Sequence, residues 1–93
     1  IKDGGTSGVS FKIIPNPAYS NAIIRFQILR PVELQIEILS NNGQVVYRSE
    51  KMKHDPGKQD HRVNISGFAP GVYMVVIKTE EGVSAEKLVI GKE

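Results

Sequence analysis

The 93-residue sequence contains no cysteine and no tryptophan. Without cysteine there is neither a disulfide framework nor a thiolate metal site, and no redox compartment is specified. Without tryptophan, the flat platforms on which carbohydrate-binding sandwiches usually stack sugar rings are left to Tyr19, Tyr47 and Tyr73, and the last has a structural use. Neither sign of charge dominates. Twelve basic and ten acidic residues leave a net +2, too small an imbalance to imply a polyanionic partner. No apolar run approaches the roughly 18 residues of a membrane span, and no charged-then-apolar leader opens the chain. The length suits one domain with a single core but leaves little room for a catalytic cleft. The opening at Ile1 rather than Met is read as a piece cut from a longer polypeptide.

What is present is period-two alternation. Val9, Phe11 and Ile13 alternate with Ser10 and Lys12 in a first strand, which Pro15-Asn16-Pro17 stops in a rigid bend. Ala22, Ile24, Phe26 and Ile28 share a face of the second strand, ended by Arg30-Pro31. Val32, Leu34, Ile36 and Ile38 alternate strictly with Glu33, Gln35 and Glu37, so the glutamates are expected in water. Asn41-Asn42-Gly43 predicts a hairpin turn with positive φ at both residues of its Asn-Gly pair, returning through residues 44–51 with Val45 and Tyr47 on the core face. Residues 52–58, containing Asp55-Pro56-Gly57, read as a polar connection before a short strand over 59–65 with Val63 and Ile65 inward.

The last third carries two strands around one tight turn. Pro70-Gly71 reverses the chain before Val72 to Lys78, and Glu81-Gly82 returns it through Val83 to Lys92, with Leu88 and Ile90 inward. Phe68, Pro70, Gly71 and Tyr73 have the spacing of a tyrosine corner, in which a Tyr hydroxyl bonds to backbone a few residues upstream. About seven short strands, with turn signals every 8 to 12 residues or so and no helical period, predict an all-β fold: an immunoglobulin-like antiparallel β-sandwich. Its expected core is Phe11, Ile13, Ile24, Phe26, Leu34, Ile36, Ile38, Val63, Ile65, Tyr73, Val75 and Ile77. Residues 1–8, Gly-rich with nothing to bury, read as a flexible linker, and 9–93 as the domain.

Candidate chemistry is sparse. His54 and His61, with Asp55 and Asp60 nearby, are potential metal ligands, but their spacing fits no helical or zinc-ribbon pattern, and no metal or other cofactor is expected. No Ser-His-Asp grouping has the context that exposes a nucleophile, so no catalytic residue and no enzyme activity are expected. Arg48, Lys51, Lys53, Lys58 and Arg62 are interleaved with Glu50, Asp55 and Asp60 and lack aromatic company, which suits a solvated face better than a nucleic-acid surface.

Pro15-Asn16-Pro17 after a first short strand, the Asn42-Gly43-Gln44 hairpin, Gly71-Val72-Tyr73 and the closing Lys87-Leu88-Val89-Ile90 with Lys92 together resemble the type A C-terminal sorting domain of the type IX (Por) secretion system. The resemblance covers about residues 9 to 92. One departure is Gly91, which interrupts the last strand before Lys92. The resemblance implies a non-catalytic targeting domain of a Gram-negative bacterium that directs an upstream cargo across the periplasm, through an outer-membrane translocon, to the cell surface. It also implies that a sortase-like cysteine peptidase cuts the preceding linker, here Gly4, Gly5, Thr6, Ser7 and Gly8. The alternative from the residues alone is a carbohydrate-binding or interdomain-contact module. A last strand is an edge or lies next to one, so its backbone is expected to be open to a partner, with Lys87 and Lys92 guarding or marking it.

Overall fold

The computed structural model describes residues 8–92, and among them there is no helix. The strands are β1 (Ser10–Ile14), β2 (Asn21–Ile28), β3 (Val32–Ser40), β4 (Val45–Arg48), β5 (Met52–His54), β6 (Gly57–Asn64), β7 (Gly71–Thr79) and β8 (Gly82–Ile90). A three-stranded sheet runs β1-β2-β6. The second runs β4-β3-β7-β8, with β5 also paired to β3. All strand pairings are antiparallel. These orders match the A-B-E and C′-C-F-G sheets of an immunoglobulin-like sandwich.

The core lies where alternation places it. Ile13, Ile24, Phe26, Leu34, Ile36, Ile38, Val63, Ile65, Tyr73, Val75 and Ile77 are buried, joined by Val9, Ala18, Ala22, Ile28, Leu88 and Ile90. Phe11 is a correction: it packs against the core but is only partly buried, because β1 is an edge strand with a neighbour on one side alone.

Four other expectations change. Residues 52–58 are not only a connection. Met52 to His54 pair with Leu34 to Val32, and β6 already starts at Gly57 opposite Ile28. The turn at Asn41-Asn42-Gly43 carries positive φ at Gly43 alone; Gly43 N–H donates to Ser40 O (2.9 Å) and Ser40 N–H to Gln44 O (2.8 Å), giving a three-residue loop rather than a two-residue one. Beyond it the β3–β4 register slips, Ile38 facing Tyr47 but Leu39 facing Val45, so the extra residue turns Val45 away from the core and leaves it exposed.

Glu37 is the fourth. It points away from the core yet is only 3% exposed, beside Val76 on β7, which is also buried. Arg48 Nε lies 2.7 Å from its Oε2 and Lys78 Nζ 3.1 Å from its Oε1. The two long side chains cover the carboxylate as they pair with it. Burial pushes the Glu37 pKa up, but the hydrogen bonds and charges of Arg48 and Lys78 outweigh it and hold the group below its ordinary value.

Candidate functional site

The last strand is held by the bend that follows the first one. Pro15 and Pro17 supply no amide hydrogen, so across Pro15-Asn16-Pro17 the only hydrogen-bond donors are those of Asn16. The Asn16 side chain does this on β8. Its Nδ2 donates to Lys87 O at 2.8 Å, and its Oδ1 accepts from Val89 N–H at 3.0 Å. One amide side chain thus takes the place of a strand rung along the β8 edge.

Ala18 continues the cover. Its N–H donates to Val89 O (2.9 Å) and its carbonyl accepts from Gly91 N–H (2.8 Å), forming a short parallel bridge to Ile90. Ala18 itself is fully buried. The next residue, Tyr19, lays its ring against Gly91, and a Cβ placed there would come within 2.5 Å of Tyr19 Cε1. Gly91 is therefore the residue that permits this close approach rather than a flaw in the strand. The expectation of an openly exposed terminal edge is corrected here: from Lys87 O to Gly91 N–H, the edge of β8 is covered.

The other side of β8 is equally fixed. Leu88 sits opposite Tyr73 and Ile90 opposite Gly71, and both apolar side chains are buried. The tyrosine corner forms as expected, with Tyr73 Oη donating to Ala69 O at 2.6 Å and the ring stacked on Phe68 at 6.0 Å. Three separated motifs thus meet on one strand: Pro15, Asn16 and Pro17 along its edge, Gly71 and Tyr73 beside it, and Lys87, Leu88, Val89 and Ile90 within it. Lys87 and Lys92 are exposed and Val89 is half-buried. Of the linker, Gly8 is exposed, and Gly4, Gly5, Thr6 and Ser7 lie outside the described residues.

Ala18 was not singled out from the sequence, and Tyr19 was named there only as a possible sugar platform, not as a partner of the last strand. The signal available was their position, immediately after a proline pair and before a strand, which gives no hint of a partner some 70 residues away.

The histidines have structural partners. His61 Nε2 lies 2.7 Å from Tyr47 Oη, linking β6 of one sheet to β4 of the other, and His54 packs edge-on against Phe26 at 5.6 Å. Burial, with a smaller contribution from the charge of His54, pushes the His61 pKa down. Among the described residues no three His, Asp or Glu side chains are grouped to hold a metal ion. The basic residues are divided: Arg48 belongs to Glu37, while on the outer face of the other sheet Arg25 makes a two-point contact with Asp60 at 2.9 and 3.0 Å.

The fold and this arrangement define a small immunoglobulin-like β-sandwich whose last strand is stapled along its edge by the segment following the first. The secretion system C-terminal sorting domain family matches residues 12–91, and the chain belongs to it. The domain is accordingly a sorting signal for cargo carried by type IX secretion, a route to the cell surface or the exterior in Gram-negative Bacteroidetes. The family is a targeting signal rather than a catalytic domain. No curated protein matches the chain. Among the described residues no helix is long and apolar enough to cross a membrane.

Proposed function

We propose that residues 9–93 act as a folded sorting unit whose recognised element is β8 in its docked state, and that residues 1–8 are the linker joining it to an upstream cargo. In this reading the outer-membrane translocon engages the side chains that β8 leaves accessible, Lys87 and Val89, with Lys92 beyond them. Pro15, Asn16, Pro17, Gly71 and Tyr73 hold the strand in place for that encounter. A sortase-like cysteine peptidase at the cell surface then cuts between Gly4 and Gly8 and releases the cargo from its signal.

The observation that carries the reading is the pair of hydrogen bonds by which Asn16 donates to Lys87 O and accepts from Val89 N–H. A strand that had to be taken up by edge pairing alone would present those groups unpaired. Here they are already satisfied, which leaves outward side chains as the accessible part of the signal.

The test is a folded reporter fused to the domain in a host with and without the translocon. Lys87→Gln with Lys92→Gln should change stability by less than about 0.5 kcal/mol, as exposed substitutions generally do. Retention of that reporter in the periplasm, with an unchanged melting midpoint, is the expected outcome. Normal export of the folded double variant rejects recognition through these charges and reduces the lysines to guards against strand aggregation.

A further inference from the structure

The second sheet breaks the rule that an antiparallel sandwich alternates apolar inside with polar outside. Tyr73, Val75 and Ile77 of β7 face the core, yet the residues that alternate with them, Val72, Met74 and Val76, are apolar as well. Register extends this outward row over the neighbouring strands. Met74 lies between Leu39 and Lys87, Val76 between Glu37 and Ala85, and Val72 beside Val89, while Leu39 has Val45 on its far side. Val72, Met74 and Val45 are 36–45% exposed, and Leu39 and Val89 beside them are half-buried, so an apolar area reaching over four strands faces solvent. Scattered apolar residues need no explanation; a contiguous area on one sheet face marks a contact surface.

The charges on this face select the occupant. Arg48, Lys53, Lys78 and Lys87 stand against Glu33 and Glu37, an excess of two positive charges over the outward positions. Stacking two copies face to face would oppose like charges, which disfavours a second copy of this chain. A lipid surface is disfavoured by the side chains themselves. Interfacial binders usually insert Trp, Phe or Leu from a protruding amphipathic element, whereas this face is a pleated sheet whose apolar side chains are mostly valine and carry no aromatic ring.

We infer that the outward face of β4-β3-β7-β8, centred on Val72 and Met74, is a docking surface for a protein component of the export machinery that presents an apolar centre rimmed by carboxylates. This rests on the reading of β8 as the recognised strand. It adds to that reading which side of the strand is met. Leu88 and Ile90 are buried and the edge from Lys87 O to Gly91 N–H is closed, so Ala85, Lys87 and Val89 are read from this face. The binding surface is then a four-strand face rather than one strand, and apolar contact supplies affinity while the lysines and arginine set orientation.

The experiment fuses the domain to two unrelated folded reporters and compares wild type, Val72→Thr/Met74→Thr, Val72→Glu/Met74→Glu, and Gln27→Glu on the opposite sheet as control. Threonine suits a strand and guards against a variant that fails to fold. The glutamates oppose an acid-rimmed partner directly. Expected is a loss of export of about tenfold for both reporters with the glutamate pair, a smaller loss with the threonine pair, and none for Gln27→Glu, at unchanged melting midpoints of the purified variants. Wild-type export of both folded pairs overturns the docking surface while leaving the sorting role intact. Loss with one reporter only assigns the face to cargo contact, a wild-type dimer that the variants dissolve assigns it to a second copy, and variant-sensitive flotation with anionic lipid vesicles assigns it to membrane; each overturns the inference. Failure of the wild-type fusion to leave a competent host removes the sorting reading itself, and this surface with it.

Discussion

β6 and β8 are both edge strands, one in each sheet, and they deal with an exposed edge in opposite ways. β6 alternates strictly, and its outward positions Lys58, Asp60, Arg62 and Asn64 are polar and exposed, so charge discourages another strand from pairing. β8 carries Ala85, Lys87 and Val89 outward, a poor barrier by that standard, and instead has Asn16 and Ala18 occupying its backbone groups. An edge closed by cover does not need charged side chains for protection. The outward positions of β8 are thereby free to carry apolar side chains, whereas those of β6 are polar.

The largest effect should come from breaking what the two strands share. Ile77 is fully buried in the core common to both sheets, and Ile77→Ala is expected to cost about 2–5 kcal/mol, seen in chemical denaturation as a loss of β6 and β8 signals in one transition. Separate transitions for the two strands would show that they do not depend on one core. Asn16→Ala should affect β8 alone. Two hydrogen bonds at about 0.5–1.5 kcal/mol each give an expected loss of about 1–3 kcal/mol, and an unchanged midpoint would show that the staple contributes nothing to the fold.

A smaller loss follows at β6. Tyr47→Phe removes the hydroxyl partner of His61 and should cost about 0.5–1.5 kcal/mol. The same histidine gives a pH signature. Its pKa is pushed down on folding, so the unfolded chain binds the proton more readily; stability holds above the ordinary value of about 6.5 and declines as pH falls below it. His61→Gln should flatten that decline, and a slope unaltered by the substitution would place its origin elsewhere. The smallest effect is expected from Asp60→Asn, which breaks a solvent-exposed pair with Arg25 and should leave the melting midpoint at physiological salt unmoved.

Much of the sandwich was legible because period-two alternation is a local property, and Leu34, Ile36 and Ile38 or Tyr73, Val75 and Ile77 read directly as one buried face. It failed where locality fails. The extra residue in β4 turned Val45 outward, a slip that the sequence of a hairpin does not display. β5 is three residues with a lysine in the middle, too short to show a period, and its pairing with Val32 to Leu34 comes from the sheet around it. Glu37 looked solvated because its neighbours in sequence alternate properly; its burial depends on Arg48 and Lys78 from two other strands. The candidate site was legible in its parts and not in its assembly. Pro15-Asn16-Pro17 and Lys87 to Ile90 stood out separately, but a side-chain amide bonding backbone 71 and 73 residues away leaves no periodic trace. Gly91 read as an interruption until Tyr19 supplied the reason for a missing side chain.

The most direct measurement is residue-resolved amide hydrogen exchange along β8 in wild type and Asn16→Ala. In the wild-type domain the Val89 amide, bound to Asn16 Oδ1, and the Gly91 amide, bound to Ala18 O, should exchange slowly, as amides held in local structure do. In Asn16→Ala the Val89 amide should lose most of that protection while the strands of the other sheet keep theirs. A Val89 amide that exchanges in the wild type as fast as an unprotected one would contradict the docked strand, and would return β8 to an open edge available for pairing.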